Sequence, residues 1–378
     1  MIYNLHIYPV TFRHETRILK EIIAIEELTH SQKQIRVVSL SENNNESIYN
    51  LSENIIIDCV PVNDNVFVKF FSRKIKVLVY LYKVYIKFKK QNIEYINCHS
   101  LSALVIGVLL KIGSRSILIY DPHELETEKQ NLSKGTRFCS KILEKYLIKY
   151  VDQLITVCRP ISAWYKHTYD LVIPVHTIRN IPESIKKDVN KSIDLKKDYS
   201  VKNDELLFVY QGILSYNRGL DILLEVFSRV NEDKHIVFMG YGDFEVEIKK
   251  YSERYSNIHF KEAVAPSEII AYTSSCDIGI HFNHAEVSLS YALSLPNKFF
   301  EYLFAGIPIL VSSSYEYMTD LINAYGLGYS IRSETDTLIN SINSIDYKEI
   351  QGFSKSISNY TKENDWIIEK ELYAKIYS

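Results

Sequence analysis

The stretch SYALSLPNKFFEYLFAGI, residues 290–307, decides how the rest of the chain is read. It opens as a short polar loop ending at Pro296, Asn297 and Lys298, and the run from Phe299 to Phe304 has the composition of a buried helix. Proline is tolerated in a first helical turn and glycine is the usual residue just past the end, so Gly306 closes this helix. The apolar run IPILV, residues 307–311, then reads as a strand. Lys298 and Glu301 stand three residues apart at the helix start and share a face. Two readings follow: a surface ion pair on a core helix, or a cation and a carboxylate aimed into a cleft above the strand ends.

The same alternation of short apolar runs and amphipathic stretches extends in both directions, as expected of parallel α/β architecture. In the first half it predicts strands at 2–8, 35–40, 54–60, 94–98, 116–120, 153–157 and 172–178, with a polar loop at 41–47. Helices are expected at 16–27, 101–112, 135–150 and 160–169. Residues 183–205 turn polar and lysine-rich and read as a linker. The alternation restarts with strands at 206–210, 235–239, 258–260, 278–282 and 307–312. Helices at 219–230, 244–255 and 266–274 lie between them, and 364–377 closes the chain with Trp366 on its apolar side. The expectation is two consecutive doubly wound, Rossmann-like domains, 1–182 and 206–360, then a C-terminal segment 361–378, with ligand in the cleft between the domains.

A length of 378 residues suits two such domains, and 46% apolar with 24% charged residues is the make-up of a soluble globular protein. The net charge of -2 gives no reason to expect nucleic acid. Five cysteines without metal-ligand or paired spacing argue against a disulfide framework or zinc site and fit a reducing cytosol. The opening MIYNLHIYPV lacks the pattern of a signal peptide, and no window of about 18 uncharged apolar residues occurs, so a cytoplasmic location is expected.

Residues 69–90, KFFSRKIKVLVYLYKVYIKFKK, carry eight basic residues and no acidic one. Lys69, Arg73, Lys76, Tyr80, Lys83, Lys87 and Lys90 follow steps of four and three and line one helical face, with Phe71, Ile75, Leu78, Val79, Tyr82 and Ile86 around the rest. This is either a packed helix with a basic outer face or a helix for an anionic membrane surface, where each Lys or Arg adds on the order of 1 kcal/mol. The lack of any acidic residue favours the anionic surface or an anionic substrate.

In open α/β sheets ligands bind beyond the carboxyl ends of strands. After LLFVY, 206–210, comes QGILSYNRG, in which Gly212 permits close backbone approach and Arg218 precedes a helix N-terminus, a combination suited to phosphate. Gly240 and Gly242 follow the next strand in the same way. Lys298, with Asn297 beside it, adds a second cation, and Glu301 can accept both hydroxyls of a ribose. Together these compose a nucleotide-diphosphate site. In the first half, His99 and His123 follow strand ends; isolated histidines are usually structural, but Asp121 and Glu124 flank His123 and can set its protonation. His123 and Glu124 are the catalytic candidates, and His99 lies at the same strand ends. No Gly-x-Ser-x-Gly, HExxH, Walker or DxD-type pattern occurs in a convincing context, which speaks against serine hydrolases, zincins, P-loop NTPases and metal-dependent sugar transfer. No metal or other cofactor is expected.

These residues resemble a family. YDPHEL (120–125), RHETRILKE (13–21), GILSYNRGLDILLEVF (212–227) and LPNKFFEYLFAGIPIL (295–310) are similar to motifs of the GT-B glycosyltransferases, in particular the retaining group called family 4, of bacterial polysaccharide and O-antigen type. The resemblance implies a sugar nucleotide (UDP- or GDP-linked) as donor and a lipid-linked glycan acceptor met at the inner face of the membrane. It implies front-face transfer with retention, and a C-terminal helix that crosses back to an acceptor-binding first domain. Glu301 would hold the donor ribose, Arg218 and Lys298 the leaving diphosphate, and His123 would lie near the transferred sugar or acceptor, with His99, Arg13 and His14 on the acceptor side. Leu293 stands where the family has the first of two glutamates, Ile213 replaces a phosphate-binding arginine, and the first loop lacks the common Gly-Gly. These departures occur together in the PNK-x-x-EY branch. Two other readings stay open: a non-catalytic partner or chaperone of another transferase, and a sugar-nucleotide epimerase on the same fold.

Overall fold

Runs rich in Ile, Val and Tyr form the strands, since branched and aromatic side chains suit a pleated surface buried on both faces. In the computed structural model, which describes residues 1–12, 16–29, 33–41, 45–62, 73–130, 132–182, 193–283 and 288–377, they build two sheets. The chain divides into two compact units, Met1–Arg179 with Ile368–Ser378, and Asn180–Ile367.

The first unit holds β1 (Ile2–Thr11), β2 (Ile35–Leu40), β3 (Ser47–Asn50), β4 (Ile55–Val60), β5 (Ile93–Cys98), β6 (Ile117–Tyr120), β7 (Gln153–Thr156) and β8 (Val175–Thr177). Their order is β3-β4-β2-β1-β5-β6-β7-β8. All pairings are parallel except β3 with β4. The four exposed residues of β3 carry no alternation, so nothing in the polar loop announced this edge strand. The order reverses between β1 and β5, whose ends align through the pair Ile7 and Cys98, with Cys98 opposite Tyr120 of β6. This switch point brings together whatever follows three strands.

The second unit is a fully parallel sheet of β9 (Leu206–Ile213), β10 (Lys234–Tyr241), β11 (Ile258–Glu262), β12 (Ile278–His281), β13 (Ile309–Ser312) and β14 (Gly328–Ile331), in the order β11-β10-β9-β12-β13-β14. Its switch point lies between β9 and β12. Residues 290–293, read as loop, belong to a short helix Leu289–Leu293 capped by the Ser288 hydroxyl. Part of the stretch read as linker is built into this unit: Leu195 and Val201 are buried, and the Lys196 ammonium lies 2.7 Å from Asp277. The rest of it, 183–192, lies outside the described residues.

The chain returns to the first unit through helix Trp366–Ala374. Glu369 accepts the Arg179 backbone N–H at 2.7 Å and its Nε–H at 2.8 Å, and the Tyr3 hydroxyl donates to the Tyr377 carbonyl at 2.9 Å.

Helix Arg73–Phe88 corrects the orientation expected from its charges. Tyr80, Leu81, Val84 and Phe88 face the core, and the Tyr80 hydroxyl donates to the Val38 carbonyl at 2.7 Å. Tyr80 is therefore not on an outer basic face. Lys83 and Lys87 flank the buried stripe and reach inward on their long stems, Lys83 to the Pro61 carbonyl at 2.7 Å and Lys87 to Glu46 and Asp58 at 3.3 and 3.4 Å. The outward stripe is apolar instead: Leu78, Tyr82 and Ile86 are 64%, 65% and 43% exposed. Lys76 is half-buried and Lys90 exposed, while Lys69 lies outside the described residues.

Candidate functional site

In the second unit, helix Asn297–Phe304 is drawn onto the sheet by Phe299, Phe300, Tyr302 and Leu303. The Tyr302 hydroxyl accepts the Gln211 N–H at 3.2 Å and donates to the Ile280 carbonyl at 3.2 Å, tying the helix to both switch-point strands. That docking buries Lys298 with the apolar turn. Among the described residues its Nζ has no hydrogen-bond partner, and it stands 3.9 Å from the Tyr210 ring centroid. Burial, with the Arg218 charge adding to it against Glu301, pulls its pKa down to about 7. Gly212 adopts φ +118°, and a Cβ there would meet only the Lys298 side chain, at 3.7 Å from its Nζ, so the strand end leaves the ammonium approachable. Glu301 does not pair with Lys298 by hydrogen bond. The Gln211 amide donates to its Oε2 at 2.6 Å, and Gln211 is held in turn by the Thr273 hydroxyl at 2.6 Å. Arg218 ends the turn Tyr216–Arg218, near enough to Tyr210 for its charge to bear on that phenol, whose hydroxyl donates to the Ile213 carbonyl at 3.4 Å.

The structure thus assembles Gly212, Arg218, Lys298 and Glu301 at one strand edge. Gly240 is different: its Cβ would fall 1.9 Å from the Gly212 carbonyl, and that of Gly242 2.0 Å from the Leu214 carbonyl, so both are demanded by the neighbouring strand. Asn297 accepts from the Asn180 amide at 2.8 Å. Sequence reasoning missed Gln211, Tyr210 and His281. His281 ends β12, stacks on Tyr315 with centroids 4.4 Å apart, and its buried Nδ1 has no hydrogen-bond partner among the described residues. A histidine at a strand's carboxyl end was the signal available.

In the first unit, Arg17 and Glu21 project from helix Thr16–Leu28 toward the ends of β1, β5 and β6. Arg17 grips Asp121 through NH2 at 2.8 Å and Nε at 3.2 Å, both side chains being buried. Burial alone would raise the Asp121 carboxyl; Arg17 and the adjacent histidines hold it far below the usual carboxylate range. Next to it His6, His99 and His123 form a chain, His6 Nδ1 to His99 Nε2 at 2.9 Å and His99 Nδ1 to His123 Nε2 at 3.2 Å. Burial pushes His6 well down and His123 to about 3. Glu21 accepts from the Tyr377 hydroxyl at 2.9 Å, and its other oxygen is buried without a hydrogen-bond partner among the described residues. Burial raises this acid to about 7.

His99 is 2% exposed and lies behind His123, so it cannot meet an acceptor as expected. Glu124 turns to Lys129, 3.2 Å away, so it is Asp121 that faces His123. Arg13 and His14 lie outside the described residues. Two groups here have ligand-like spacing, His6, Glu21 and His99, and His99, Asp121 and His123. Their facing nitrogens, however, are engaged with one another, and Asp121 is taken by a guanidinium.

Residues 192–363 match the family model described as glycosyl transferases group 1. Solved structures share the fold over nearly the whole chain. Sucrose-phosphate synthase from Thermosynechococcus elongatus superposes with a TM-score of 0.76 at 14% identity, covering 99% of this chain and 98% of that one. Anabaena HepE in complex with UDP-glucose gives 0.71 at 14% identity, covering 99% and 98%. A trehalose-6-phosphate protein from E. coli, bound with UDP-2-fluoro glucose, gives 0.70 at 10% identity, covering 99% and 98%. The fold is the two-domain GT-B fold. No curated protein matches in sequence.

Proposed function

We propose that the chain is a glycosyltransferase that moves a sugar from a nucleoside-diphosphate sugar to a hydroxyl of a glycan acceptor. The observation that carries this is Lys298: a buried ammonium with no hydrogen-bond partner among the described residues, beside a left-handed glycine at a switch point, with Glu301 held in place three residues on. A buried cation without a counter-ion is costly unless an anion arrives. A diphosphate satisfies Lys298 and Arg218, and a ribose satisfies Glu301. The match of residues 192–363 to group 1 glycosyl transferases supports the same assignment, as do relatives whose complexes hold UDP-glucose and UDP-2-fluoro glucose.

In the reaction the acceptor oxygen bonds to the anomeric carbon on the face from which the diphosphate leaves, the glycosidic C–O bond to phosphate breaks, and the hydroxyl proton passes to the leaving group. The outcome is retention. Lys298 and Arg218 supply fixed positive charge to the leaving diphosphate, so the chemistry needs no metal. We place the protein at the inner face of a bacterial membrane, acting on a lipid-linked glycan for surface polysaccharide. The exposed Leu78, Tyr82 and Ile86, bordered by exposed Lys89 and Lys90, support that placement. Among the described residues no helix is long and apolar enough to cross a membrane.

A thermal-shift screen of UDP- and GDP-sugars tests the assignment. At least one raises the melting temperature of the wild type, and Glu301→Ala loses that rise. A wild type that responds to none would favour the non-catalytic reading.

A further inference from the structure

We infer that one buried anion, Asp121, sets the proton positions of three linked histidines in turn and thereby fixes His123 with its proton on Nδ1, a hydrogen-bond donor offered to the ligand. His99 and His6 are then positioning residues. The role at the ligand rests on the glycosyltransferase reading; the proton position rests on geometry alone.

The chain of reasoning starts at Asp121, whose carboxylate is held by Arg17 and can only accept. His99 Nδ1 faces its Oδ2 at 3.5 Å, so that nitrogen carries the proton. The same Nδ1 lies 3.2 Å from His123 Nε2, which must therefore be the bare, accepting nitrogen, and the ring's proton sits on Nδ1. On its other side, His99 Nε2 is bare and accepts from His6 Nδ1 at 2.9 Å. His6 Nε2, bare in its turn, lies 3.3 Å from the Asn97 amide nitrogen, whose shorter contacts go to Asn4 Oδ1 at 2.7 Å and the Tyr377 hydroxyl at 2.8 Å. Each link holds one proton between two nitrogens, and burial keeps His6 and His123 uncharged. The reverse direction would set a bare His99 Nδ1 against the Asp121 carboxylate at 3.5 Å, closer than the 3.9 Å that separates the bare His123 Nε2 from it in the assigned direction. About a quarter of the His123 side chain is exposed, and Nδ1 is the nitrogen left for a ligand. Such a ring is a poor proton acceptor and a fixed donor, suited to a sugar hydroxyl or ring oxygen.

Long-range 15N–1H NMR of the histidine rings in the full-length protein at pH 7 reads this directly, with the His123 signal assigned by its loss in His123→Asn. The expected result is a protonated Nδ1 and a bare Nε2. In Asp121→Asn, where Arg17 keeps the amide oxygen and the NH2 turns to His99, the pattern reverses to a protonated Nε2. A wild-type His123 protonated at Nε2, or at both nitrogens, overturns the inference whether or not a nucleotide binds and whether or not the variant folds. In a transfer assay, His123→Asn, which keeps a donor near Nδ1, stays within about tenfold of wild type, while His123→Gln loses about 100-fold or more. Equal losses would remove the donor role, and a correct proton position without nucleotide binding would fault the functional reading instead.

Discussion

Glu21 carries its proton into the range where an ordinary carboxyl has lost it. Burial raises it from 4.5 to about 7, with the Asp121 charge adding to the rise and Arg17 and the Tyr377 hydroxyl opposing it. Between those values the folded protein keeps a proton that the unfolded chain releases, so the stability it contributes is complete below pH 4.5 and is lost as pH rises through 7. The slope is about 1.4 kcal/mol per pH unit. Glu21→Gln cannot titrate. Urea unfolding at pH 4.5 and pH 7.5 should therefore show wild type losing stability relative to the variant, on the order of 3 kcal/mol over the interval; parallel pH profiles would contradict this. At the same scale, Lys298 was legible as a candidate because it opens a helix too apolar to be exposed. Its partnering was not. Sequence spacing offers Lys298 to Glu301, yet Glu301 is taken by Gln211, 90 positions away, a contact no local pattern encodes. The tie of Arg17 to Asp121, across 104 positions, was hidden for the same reason.

Elements were legible where their signal was periodic and misread where a buried polar group decided the facing. Helix Arg73–Phe88 is the clearest case. Its charges suggested a basic outer face, but Tyr80 has a hydroxyl that needs a buried acceptor and finds the Val38 carbonyl, which turns Lys83 and Lys87 toward the sheet. Helix Asn297–Phe304 was read correctly at its core, while the glycine that seats it was not noticed. A Cβ on Gly279 would fall 2.2 Å from the Tyr302 ring, at the point where that tyrosine bridges β9 and β12. Gly279→Ala should cost about 1–3 kcal/mol in urea unfolding and weaken nucleotide binding with it, since the helix carrying Lys298 must lift. An alanine variant as stable as wild type would mean that the helix is seated by other contacts.

Across the whole molecule, the strand–helix alternation sufficed for two doubly wound units, because parallel strands buried on both faces leave runs of Ile and Val that few other structures require. The return of the chain to the first unit rests on Glu369 and Tyr377, which meet Arg179 and Tyr3 only after folding; the sequence reading had it solely through resemblance. What the alternation cannot carry is chemistry, and the account stands on one claim: the second unit binds a nucleoside diphosphate through Lys298. Isothermal titration of UDP and GDP at pH 6.5 and 8.5 tests it most directly. Because Lys298 sits at about 7 when unliganded, binding draws in a proton, and affinity falls from pH 6.5 to 8.5. Lys298→Gln should bind at least about tenfold more weakly at pH 6.5 and lose that additional fall with pH. Failure of both nucleotides to bind the wild type, or an unchanged affinity in Lys298→Gln, would contradict the account.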